Sequence, residues 1–136
     1  MELDLRELDA ADTATLAAGI ALHKRHRDLI HSGNLVRLDA PDGINAFGIV
    51  ASDNAEALFS LTMVNEPGSS IAAPIRLAGL DGGALYALEL IWPERLGAQW
   101  PLAAGGRFTG AAMMLAGVQL PRLWPGTAVI LHLKRC

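Results

Sequence analysis

Thiols are nearly missing from this sequence: there is a single cysteine, Cys136, at the last position. One thiol cannot close an intramolecular disulfide or supply a multi-cysteine metal cluster, so nothing here demands an oxidising compartment. Charge is sparse too, at 18% of residues, with 11 Lys and Arg against 14 Asp and Glu and a net charge of −3. The basic residues gather only at Lys24-Arg25-His26-Arg27 and Lys134-Arg135. No basic stripe joins them, which excludes nucleic acid as an expected partner. Long apolar runs are also lacking. None approaches the ~20 residues that cross a bilayer, so no membrane partner is expected. The acidic start, Met1-Glu2-Leu3-Asp4-Leu5-Arg6-Glu7, lacks the basic and apolar regions of a secretory signal, and a cytoplasmic location is the expectation.

What is present is apolar material. The hydrophobic fraction is 51% over 136 residues, which suits one packed domain. Residues 9–31 contain no proline, and Leu16, Ile20, His23, Arg27 and Ile30 recur at helical intervals with Leu22 and Leu29 on a flanking row. The spacing predicts one amphipathic helix, capped by Asp9 or Asp12, with basic residues towards its C-terminal end and Gly33 as its stop. Beyond Gly33 the pattern changes to short apolar runs between turns. Strands are predicted over 34–38, 46–51, 57–64, 75–77, 85–92 and 127–133, with the polar stretch 52–56 as a hairpin loop. Residues 93–106 carry two prolines and three glycines and read as a surface connection. Residues 110–117 fit a helix, with a strand as the alternative. The expected fold is mainly β, an antiparallel Greek-key β-sandwich preceded by one amphipathic α-helix, with 1–33 as an N-terminal segment and 34–136 as the sandwich domain.

Candidate chemistry is thin. Paired-carboxylate hydrolysis needs two acids about 5 to 10 Å apart in a cleft. Asp39, Asp42, Asp53, Glu56, Glu66 and Asp81 instead fall in turn-like stretches, where solvated loop roles explain them. Glu89 lies in an apolar strand and fits an outward-facing position. His23 and His26 are three apart, a spacing that can chelate a metal, but no thiol is nearby and Arg25 and Arg27 add unfavourable charge. A structural or solvated role is the reading for these histidines, for His31 and for His132. There is no Gly-x-Ser-x-Gly, and Gly82-Gly83 and Gly105-Gly106 lack the Lys and helix of a phosphate cradle. No catalytic residue, cofactor or metal site is predicted. Trp92, Trp100 and Trp124 all lie near prolines; exposed indoles could stack on sugar rings, and packing of loops on the sandwich rim is the simpler role.

Two segments carry a family resemblance. The helix text Ala17-Ala18-Gly19-Ile20-Ala21-Leu22-His23-Lys24-Arg25-His26-Arg27-Asp28-Leu29-Ile30-His31-Ser32-Gly33, running into Asn34-Leu35-Val36-Arg37-Leu38-Asp39, resembles the last barrel helix and first sandwich strand of melibiase-type α-galactosidases, glycoside hydrolase family 36. Ile75-Arg76-Leu77-Ala78-Gly79-Leu80-Asp81, Leu85-Tyr86 and Gly117-Val118-Gln119-Leu120-Pro121 are similar to that family's C-terminal sandwich. The resemblance implies a larger parent enzyme with an N-terminal β-supersandwich and a central (β/α)8 barrel. There two aspartates would hydrolyse terminal α-galactosides with retention. Neither aspartate motif is found in this sequence, so the expectation is a non-catalytic domain whose partner is the catalytic barrel. A second expectation is a carbohydrate-binding module that takes an α-galactoside on its tryptophans. The helix's apolar stripe, Leu16, Ile20, Leu22, Leu29 and Ile30, is expected to support homo-oligomerisation when no barrel covers it.

Overall fold

The computed structural model describes residues 6–65, 73–97, 100 and 106–136. Its elements run α1 (Ala10–Arg25), α2 (Arg27–Ser32), β1 (Asn34–Arg37), β2 (Ile44–Val50), β3 (Glu56–Met63), β4 (Leu85–Trp92), α3 (Glu94–Gly97), β5 (Gly106–Thr109), α4 (Gly110–Leu115) and β6 (Ala128–Arg135). Among the described residues the strands form a six-stranded antiparallel sheet in the order β1-β2-β3-β6-β4-β5. The mainly-β, antiparallel expectation holds. The last strand returns to the middle of the sheet instead of an edge, a non-meander connection of the kind a Greek-key arrangement requires.

Alternation along the strands dictates which face is core. β2 buries Ile44, Ala46, Gly48 and Val50 and exposes Asn45 and Phe47 between them. Register then stacks the buried sets: Ala46 lies opposite Leu61, Gly48 opposite Phe59, and Phe59 opposite Leu131 on β6. A slip by one residue would turn all of them to the other face, so the pattern itself fixes the pairing. Phe59, Leu61, Val129, Leu131 and Leu133 have no solvent exposure at all. Each such side chain contributes roughly 1.5–3 kcal/mol by leaving water. Gly48 is needed for this fit, because a Cβ there would run into the Phe59 ring and come within 3.0 Å of Val36.

A thinner layer closes the core face. Ile75, Leu77, Val118, Leu120 and Leu123, with Met113 of α4, belong to the same buried cluster. A single antiparallel bridge, Ile75 to Val118, links two of these segments. Residues 75–77 therefore make one bridge where the sequence predicts a strand. Their amides are still satisfied: Ile75 N–H donates to Val118 O at 3.0 Å and Leu77 N–H to Met113 O at 3.1 Å. Residues 110–117 resolve in favour of the helix, since Thr109 caps α4 by accepting from Ala112 N at 3.2 Å. The stretch 93–106, expected as a surface connection, contributes α3 and the first residue of β5, while residues 98–99 and 101–105 lie outside the described residues.

The β2–β3 hairpin is made by local chemistry. Ala51 N–H donates to Glu56 O at 2.8 Å, Asp53 Oδ1 accepts from Ala55 N at 3.0 Å, and Asn54 adopts a left-handed φ of 56°. Asparagine tolerates that conformation better than most residues. The buried Tyr86 hydroxyl on β4 donates to Asn54 O at 2.9 Å, tying this loop to the far half of the sheet.

The opposite face carries α1 and α2. Asp9 caps α1 by accepting from Asp12 N at 2.7 Å. The predicted single helix over 9–31 is broken at His26, where φ of −105° and ψ of 12° leave the helical region before α2 resumes. No residue of α1 is buried, whereas α2 buries Leu29. Leu22 of α1 and Ile30 of α2 look onto a cleft floored by Leu58, Ile91 and Ile130.

Candidate functional site

The break at His26 positions the most unusual side chain of the chain. His26 N–H still donates to Leu22 O at 3.2 Å and its carbonyl accepts from Ile30 N at 2.9 Å, so the chain stays nearly helical while the turn tips the imidazole inward. His26 is 8% exposed, and apart from the Tyr86 hydroxyl and the Trp100 indole N–H it is the one buried polar side chain among the described residues. Beneath it lie two residues of the helix-facing side of the sheet. Glu56 is the first residue of β3, and His132 sits in the middle of β6, opposite Leu58 on one side and Glu89 on the other.

Glu56 Oε1 joins the two imidazoles. It lies 2.7 Å from His132 Nε2 and 3.5 Å from His26 Nδ1, and the two rings are 4.8 Å apart between centroids. Three elements far apart in sequence thus deliver one carboxylate and two imidazoles to a single spot between helix and sheet. Burial lowers the pKa of His26 below its ordinary value of 6.5. The neighbouring His132 acts in the same direction, and the Glu56 carboxylate opposes both. The net result is a neutral His26 ring at neutral pH, with a nitrogen lone pair available.

The sequence-predicted positions scatter. His23 lines the same cleft as His26 but is not part of its cluster with Glu56 and His132; it is exposed, and its ring makes an edge contact with that of His31 at 6.2 Å. Asp39, Asp42, Asp53 and Glu89 are exposed, Asp81 is half-buried, and Glu66 lies outside the described residues. Trp100 is only 5% exposed, and its indole N–H donates to Gln119 O at 3.0 Å, so it offers no face to a dissolved sugar. Trp92 is half-buried beside α1. Trp124 is 61% exposed, with the Arg122 guanidinium 4.9 Å over its ring. The three indoles therefore occupy three different environments. Of the apolar helix residues, Ile20 is exposed, Leu16, Leu22 and Ile30 are half-buried, and Leu29 is already covered within the chain.

Sequence reasoning placed Glu56 in a loop and read His132 as a lone strand histidine. Their meeting depends on the register of β3 with β6, where Glu56, Leu58, His132 and Lys134 share one face. No local motif encodes that. The only signal was a pair of polar residues set into otherwise apolar strands.

These features define a mainly-β, helix-backed domain whose polar cluster lies between its layers and whose core face is predominantly apolar. The chain belongs to the glycosyl hydrolase family 36 C-terminal domain family, whose model matches residues 44–133. It is 33% identical over 152 aligned residues to an α-galactosidase of Escherichia coli, covering 99% of this chain and 21% of the relative. It is 28% identical over 122 residues to the bifunctional α-galactosidase/sucrose kinase AgaSK of Mediterraneibacter gnavus, covering 88% of this chain and 12% of that one. Among solved structures, the α-galactosidase AgaB of Geobacillus stearothermophilus superposes with a TM-score of 0.78 at 27% identity, over 99% of this chain and 17% of AgaB. The galactosidase domain of AgaSK has the same fold, with a TM-score of 0.81 at 24% identity. The chain thus spans about a fifth or less of the length of the relatives it matches.

Proposed function

We propose that this chain is a non-catalytic domain of an α-galactosidase and that it stabilises the enzyme's catalytic barrel through its helix-bearing face. The observation that carries the reading is the family match over 44–133 to a C-terminal domain, in a chain corresponding to about a fifth of the E. coli enzyme. The shape of the helix face supports it. Leu16, Gly19, Ile20 and Trp92 line an open apolar groove between α1 and the end of β4. An apolar groove of this kind gains from being covered, and a neighbouring domain of the parent enzyme is the proposed cover. The parent enzyme would hydrolyse terminal α-galactosides, with the acids supplied by the barrel.

Two assays test this reading. The purified chain mixed with an aryl α-galactoside should release no aglycone; turnover that co-purifies with the chain through successive columns would refute a non-catalytic role. In the E. coli α-galactosidase, removing the aligned segment should lower the melting temperature of the remaining enzyme. An unchanged melting temperature would contradict the stabilising role. Without a barrel, the same groove is proposed to favour self-association, which sedimentation of the chain against its Ile20→Asp variant would detect as a loss of dimer.

A further inference from the structure

We propose that His26 Nδ1, Glu56 Oε1 and His132 Nε2 form a binding site for a divalent transition metal of the zinc class, which clamps the α1–α2 junction onto β3 and β6. The three ligand atoms lie within 4.8 Å of one another. In a tetrahedral zinc site, with bonds of about 2.0–2.2 Å to nitrogen and oxygen, neighbouring ligand atoms stand roughly 3.4 Å apart. The two edges through Glu56 Oε1, at 2.7 and 3.5 Å, straddle that value. Seating an ion therefore asks for an opening of the His132–Glu56 contact and a closing of the two imidazole nitrogens from the 4.8 Å limit of the cluster.

The donor set is the right kind. Two imidazoles and one carboxylate suit Zn²⁺, and leave coordination positions for water where Glu56 reaches solvent. The ligands also come from three separate elements, so an ion would cross-link them: the helix break, the start of β3 and the middle of β6. Arg25, next to His26, opposes the ion and limits its affinity. The rival site is the helical pair that the sequence spacing favours. In the structure His23 turns to His31 and is exposed, so any binding there would be independent of Glu56 and His132.

The test uses the untagged chain, stripped with chelator and titrated calorimetrically with Zn²⁺. Saturable one-to-one binding is expected, with a rise in melting temperature of about 9 °C at a hundredfold excess over the dissociation constant. Glu56→Gln and His132→Gln should each weaken binding at least tenfold, whereas His23→Gln and His31→Gln should leave it unchanged. Absence of saturable binding overturns the proposal, and so does binding that survives His132→Gln or is lost in His23→Gln. Should His132→Gln fail to fold, Co²⁺ added to the unaltered chain decides the matter. Intense visible bands of low coordination number support the site, and the faint spectrum of a six-coordinate surface complex overturns it.

Discussion

On the core face of the sheet, Phe59, Leu61, Val129, Leu131 and Leu133 are sealed from solvent, whereas on the helix face α1 buries nothing and His26 is held among polar partners. The first face is assembled from residues two apart along each strand, so four strands reinforce one another through register. The second depends on α1 and α2 meeting the sheet through Leu22, Leu29, Ile30 and the His26–Glu56–His132 cluster. Cohesion and attachment are thus separate properties of this domain. The sheet is held by apolar area, and the helix is held by a few half-covered contacts around a polar centre.

Substitutions on the two faces should differ accordingly. Leu131→Ala, in the centre of the core face, should destabilise the chain by about 2–5 kcal/mol in chemical denaturation. Gly48→Ala should cost about 1–3 kcal/mol by forcing a methyl group against Phe59, and Phe59→Leu in the same chain should recover part of that loss. Leu22→Ala, on the half-covered helix face, should cost about 1 kcal/mol. A cost equal to that of Leu131→Ala would break the distinction between the faces. Ile20→Ser, at 48% exposure, should shift stability by no more than about 0.5 kcal/mol in the isolated chain.

The β2–β3 hairpin was legible because two apolar runs flank a polar stretch, and the structure departs there by a residue or two at the strand ends, with β2 at Ile44–Val50 and β3 at Glu56–Met63. The helix was legible in extent, from its Asp9 cap to its end at Gly33, but not in its break at His26. Breaks are usually announced by proline or glycine, and His26 is neither. β5 was hidden by the glycines before it, which read as connection. The insertion of β6 between β3 and β4 is a long-range pairing that no window of sequence contains. The polar cluster shares that cause: Glu56 and His132 stand 76 positions apart and meet only through strand register. His26 was noticed for its distance from His23, which is the relation the structure does not use.

The contrast between the two faces is tested most directly by native-state hydrogen exchange of the chain, read amide by amide. Amides of β3 and β6 should exchange only through global unfolding, while those of α1 should open locally at a much lower free energy, with α2 between them. Protection of α1 equal to that of β3 would contradict the account, because it would mean that helix and sheet share one cooperative core.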